Sequence, residues 1–154
     1  MKNITDYCVP HNIAMTLKQK QFDEPCLGVY QYDFKGNIEI KFFQSGMGHK
    51  DLLSNFSDGR WVSYWSGSGR PEYFELEDVY LMPMYEQVVE WLDEKHKIRV
   101  DLIHADSNGN YKYTIWRWNY DNNVGKWEKV DYINSFYDKN ERNKKAIEAA
   151  LKLI

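Results

Sequence analysis

The sequence predicts an α+β protein, an antiparallel sheet with helices packed on one face, in the order α-β-β-(β)-β-α-β-β-β-α. Three observations lead there. Apolar residues recur with helical period only near the start, the middle and the end of the chain. Between those stretches residues alternate, and two pairs of alternating runs are joined by turns carrying glycine, "KGN" and "SNGN". Finally, five of the nine glycines fall between Ser45 and Gly69, which is loop chemistry.

Taken in order, "VPHNIAMTLKQKQF" predicts a helix. Pro10 suits its first turn, where the missing amide hydrogen would be unpaired anyway. Ile13, Ala14 and Leu17 mark its apolar side, and Pro25 stops helical backbone at Glu24. "LGVYQYDF" and "IEIKFFQ" make a β-hairpin. "RWVSYW" predicts a short strand, and "EYFELEDVYLM" a further one ending at Pro83. "MYEQVVEWLDEKHKI" places Tyr85, Val88, Val89, Leu92 and His96 on one helical face. "RVDLIHAD" and "YKYTIWRWN" form a second hairpin, and "KWEKVDYIN" a third strand. The closing "SFYDKNERNKKAIEAALKLI" predicts a helix beginning near Ser135, with Ser135 and Asp138 at capping-box spacing. Its stripe is Ile147, Leu151 and Ile154, with Glu141–Lys145 and Glu148–Lys152 as i,i+4 pairs. At 154 residues the chain is one compact domain or two subdomains, 1–83 and 84–154.

Composition narrows the function. A net charge of −3 argues against a dedicated reader of duplex nucleic acid, whose affinity comes from many neutralised phosphates. Cys8 and Cys26 make neither a disulfide framework nor a C-x-x-C pair. With no leader-like start and no long apolar run, the expectation is a cytoplasmic protein without a membrane span. His11, His49, His96 and His104 show no metal-ligand spacing, so neither a metal nor any other cofactor is expected. A local cluster of His96, His104, Asp101 and Asp106 stays open. No catalytic residue is named, since the nucleophile elbow and the phosphate-cradling lysine loop are both missing.

Binding is the better prediction, because 6 Trp, 12 Tyr and 7 Phe are available to a core or to a recognition surface. "SDGRWVSYWSGSGRPEYF" mixes Arg60, Trp61, Tyr64, Trp65 and Arg70 with glycines that let backbone approach a ligand. Arginine takes phosphates bidentately and rings stack, which suits a nucleotide or a protein surface. On "YKYTIWRWN", alternation sets Trp116 and Trp118 on one side and Tyr113, Ile115 and Arg117 on the other. The same rule puts Trp127 and Tyr132 on opposite faces. The indole-bearing face is expected to pack on the N-terminal hairpin; its alternative is an aromatic platform. An exposed aromatic face risks aggregation, and a homo-oligomer is one way to cover it.

"LKQKQFDEPCLGVYQY" and "YEQVVEWLDEKHKI", with the closing amphipathic helix, resemble small proteins encoded by phages and prophages of gut Bacteroidetes. The matching residues are Leu17, Phe22, Pro25, Cys26, Trp91 and Leu92. The resemblance implies a mobile-element accessory protein in the bacterial cytoplasm and brings over no catalytic residue. Residues 84–154 also resemble a double-stranded-RNA-binding domain in element order, but 12 basic and 12 acidic residues cancel there, and such a reader needs a one-sided basic stripe. The expectation is therefore a non-enzymatic phage accessory binding module, in an anti-defence role, capturing a signalling nucleotide or a host protein. The alternatives are a nucleic-acid-binding module using the C-terminal unit, and a small nucleotide hydrolase.

Overall fold

The computed structural model describes residues 3–22, 24, 26, 28–33, 35–42, 60–64, 71–75, 79–104, 107–121 and 124–154. The fold is α+β, with every ladder antiparallel among these residues. Two compact units emerge, one of residues 1–22 and 84–154, the other of residues 23–83. Residues 1–22 therefore cluster with the C-terminal half, whereas a division of the sequence at residue 83 groups them with residues 23–83.

In the first unit a 3-10 turn, Ile4–Tyr7, leads into α1, His11–Gln19. Pro10 stands just outside the helix in extended backbone, and its carbonyl accepts from the Ile13 and Ala14 amides at 3.0 Å. Ile13, Ala14 and Leu17 are buried as their spacing predicts. The chain then turns back at Gln21, φ 61°, and the Phe22 amide donates to the Leu17 carbonyl at 3.0 Å. That reversal brings Phe22 edge-on to Trp91 of the next helix, ring centroids 5.2 Å apart. Burying such side chains contributes ~1.5–3 kcal/mol each, which is why α1 belongs with the later elements.

Helix α2 spans Tyr85–His96. The Gln87 side chain accepts from the Met84 amide at 2.8 Å at its start, and Lys97 in left-handed backbone, φ 56°, closes its end. Tyr85, Val88 and Leu92 are buried as expected, and Trp91 joins them while Val89 and His96 stay half-exposed. Strands β6 (Ile98–Ile103), β7 (Tyr111–Asp121) and β8 (Val124–Phe136) follow as a sheet in that order. Helix α3, Lys139–Leu151, ends the fold. It packs on α1, α2 and all three strands, while α2 packs on β6, so both longer helices cover one sheet face. That face supplies Ile98, Val100, Tyr113 and Ile115 to the core, opposite Ala146, Ile147, Ala150 and Leu151.

The closing helix starts later than expected. β8 pairs as far as Tyr111↔Phe136, and Phe136 stacks on Tyr113 at 5.9 Å, which holds Ser135 in the strand. Asp138 is the cap instead: its Oδ1 accepts from the Glu141 amide at 2.8 Å. Glu148 meets Lys145 at 3.3 Å and Lys144 at 4.0 Å, both on its N-terminal side, rather than the expected Lys152. Ile154 is only half-buried, and the stripe is completed by Arg142 and Asn143. The Arg142 guanidinium, 1 % exposed, donates to the carbonyls of Ile103 at 2.6 Å and Lys112 at 3.3 Å, with Nε donating to Asn143. It thereby ties α3 to the ends of β6 and β7.

In the second unit, β1 (Gly28–Tyr32) pairs with β2 (Ile38–Phe42) as the predicted hairpin. Asp33 shapes its turn by accepting from the Lys35 and Asn37 amides at 2.8 and 2.7 Å, ahead of Gly36 at φ 80°. β3 (Arg60–Tyr64) and β4 (Pro71–Glu75) form a separate two-stranded ladder. β5 (Val79–Leu81) lies along the free side of β1. The stretch read as one strand before Pro83 is thus two strands serving two ladders.

Candidate functional site

The face of the β6–β8 sheet turned away from α2 and α3 carries the richest constellation among the described residues. Strand register builds it. Arg99 pairs with Trp116, and Trp116 with Lys129, so one row across the sheet reads cation, indole, cation. Residues directly opposite each other in an antiparallel ladder share a face. The next row sets Trp118 against Trp127, with ring centroids 5.2 Å apart and an interplanar angle of 67°.

A β-bulge decides which residues join. Ile115 pairs with Asp131 but Trp116 pairs with Lys129, leaving Val130 as an extra residue on β8. An extra residue inverts the alternation beyond it. Trp127 and Lys129 therefore come to the same face as Tyr132, which pairs with Thr114. The expectation from strict alternation, that Trp127 and Tyr132 lie on opposite faces, is corrected on this ground.

Ring and charge contacts hold the surface in place. The Arg99 guanidinium sits 4.3 Å from the centre of the Trp127 ring, and Lys129 Nζ 4.9 Å from that of Tyr132. Such pairs contribute ~0.5–1 kcal/mol at exposed sites. The Trp116 indole N–H donates to Asp101 Oδ2 at 2.7 Å, which fixes the central ring. Arg99 Nε also lies 3.5 Å from Asp93 at the sheet edge, with both side chains open to solvent. Trp118 lies against Gly125: a Cβ there would come within 2.1 Å of its ring. The three indoles are half-buried, and Arg99, Lys129 and Tyr132 are exposed.

Of the residues singled out from sequence, Trp116 and Trp118 fall on this surface, side by side as predicted. Arg60, Trp61 and Tyr64 lie on β3, where Arg60 pairs with Glu75, Trp61 with Phe74 and Tyr64 with Pro71. Trp65 and Arg70 lie outside the described residues. Sequence reasoning missed Arg99 and Lys129. Arg99 was within reach, since Ile98 and Val100 flank it as core positions. Lys129 was not, because its facing depends on the bulge.

Among the described residues the remaining polar groups build no second site. His96 packs on Trp91 with centroids 4.4 Å apart, and desolvation, then the nearby Lys20 charge, lowers its pKa. Asp101 is engaged with Trp116 and His104 is exposed, while Asp106 lies outside the described residues. Among the described residues no three His, Cys, Asp or Glu side chains are grouped to hold a metal ion. Burial pushes the Cys8 thiol up, helped by Glu86, and its Sγ donates to the Ile4 carbonyl at 3.7 Å. Cys26 is buried too and donates to the Glu24 carbonyl at 3.2 Å. No helix among the described residues is long and apolar enough to cross a membrane. No protein-family model, curated protein or solved structure matches the chain.

Proposed function

We propose that the protein is a non-enzymatic binding module that takes a planar, anionic ligand, a nucleotide, on the helix-free face of its β6–β8 sheet. One observation carries the reading: strand register and the bulge at Val130 together set Arg99, Trp116, Trp118, Trp127, Lys129 and Tyr132 on one face, with Arg99, Lys129 and Tyr132 exposed and the indoles half-buried. Indole faces stack bases at ~1–3 kcal/mol each, and cations held beside them take phosphate. Buried thiols, with Cys8 shifted away from thiolate, favour binding over nucleophilic catalysis. Within the resemblance to phage and prophage proteins, the role is a cytoplasmic accessory one, capture of a host signalling nucleotide in counter-defence. Capture of a host protein is the second reading, favoured by the same exposed rings.

Thermal unfolding against a panel of mono-, di- and cyclic oligonucleotides tests this. A ligand at about 100 times its Kd adds about 2.7 kcal/mol, a visible shift. A shift lost in Trp116→Leu assigns binding to the sheet face, and one lost in Trp65→Ala or Arg70→Ala assigns it to the stretch 57–74. The absence of any shift overturns the nucleotide reading and leaves host-protein capture.

A further inference from the structure

We infer that the ligand unit this face accepts is a nucleotide bearing a phosphodiester on both sides of its sugar, not a mononucleotide. The inference rests on the reading of the sheet face as a nucleotide surface and goes further by fixing the ligand's phosphate count. Its ground is the row Arg99–Trp116–Lys129. The indole is central, on the middle strand, and a cation stands on each neighbouring strand. Adjacent strands lie ~4.8 Å apart, so the two cations start from backbone positions ~10 Å apart on opposite sides of the ring. One base stacked on Trp116 then has its 5′ phosphate toward one cation and its 3′ phosphate toward the other. A mononucleotide fills only one of these places.

The two charged heads are held by different rings in the rows on either side of Trp116: Arg99 reaches across β7 to the Trp127 ring, in the Trp118 row, and Lys129 lies by the Tyr132 ring, in the Thr114 row. Arg99 is shared with Asp93, and Asp101 adds a negative charge beside the central indole. The surface thus lacks a basic stripe of the length a duplex requires, and suits a short ligand with two phosphates per recognised base. Two sources share this chemistry: an internal nucleotide of a single strand, and a cyclic oligonucleotide.

Tryptophan-fluorescence titration of the full chain decides the matter with three adenine probes: adenosine 5′-monophosphate, linear tetraadenylate and cyclic diadenylate. At least one diester is expected to bind about tenfold or more tightly than the monophosphate, as one added charged contact implies. The diester that does so identifies the source. Lys129→Gln, at an exposed position outside the core, is expected to bring that diester to within about threefold of the monophosphate. If the monophosphate binds as tightly as both diesters, or if Lys129→Gln leaves their ratio unchanged, the inference falls while the nucleotide surface stands. If none of the three binds, both fall together.

Discussion

Replacing Gly125 by alanine probes the surface at its most tightly built point. The added Cβ would stand 2.1 Å from Trp118 Cζ2 and 2.7 Å from Cε2, where ordinary contact begins at 3.4 Å. The indole must therefore retreat by about 1.3 Å, the difference between 3.4 and 2.1. Gly125 sits in the extended backbone of β8, so alanine adds no strain of its own. Overpacking in a closed core costs ~1–3 kcal/mol. Trp118 is half-exposed and can swing outward, in which case the loss is that of its ring contacts with Trp127 and Tyr120, at 5.2 and 6.1 Å. Such pairs contribute ~0.5–1.5 kcal/mol each, so the expected loss of the two is ~1–3 kcal/mol. For a chain of this size that lowers Tm by roughly 2–12 °C. Circular dichroism reads the geometry directly, because two indoles this close couple excitonically and the couplet weakens as they separate. An unchanged couplet with Tm within about 1 °C of the parent would refute the Trp118–Gly125 contact.

Two further outcomes rest on the same physics. Arg142→Leu leaves the Ile103 and Lys112 carbonyls without their guanidinium donor, a loss of ~1–3 kcal/mol for each, partly offset by relief of the desolvation that lowers the pKa of Arg142. Urea unfolding should show a net destabilisation of ~2–4 kcal/mol, and a change under ~0.5 kcal/mol would mean that those carbonyls have other partners. His11 and His96 both have pKa values lowered below 6.5, by desolvation first in each case. The unfolded chain takes up protons at a higher pH than the folded one, so their contribution is fully present above pH 6.5 and is lost as pH falls through the lowered values. The urea midpoint should drop across that window and flatten in a His11→Gln, His96→Gln double variant; equal slopes in the two proteins would exclude these residues as the cause.

The elements were legible where a local rule acts alone. Helical period marked α1 and α2, the glycine-bearing turn at Gly36 marked the first hairpin, and alternation placed Trp116 beside Trp118. The rule failed where a longer-range contact competed. Ser135 has the chemistry of a helix cap, yet Phe136 buries against Tyr113 and keeps the strand going until Asp138 takes over that role. Arg142 was not among the apolar stripe expected of the closing helix, yet it is buried there because the ends of β6 and β7 offer its guanidinium two carbonyls.

By itself the sequence determined the α+β class, most strands and helices, the supply of rings and the near-cancellation of charge, since these depend on residue type and on spacing within one element. Only the tertiary structure decided that Trp127 and Lys129 join Tyr132, Trp116 and Trp118 on one face. Register between strands is a property of the pair rather than of either strand, and one extra residue at Val130 reverses every side chain beyond it.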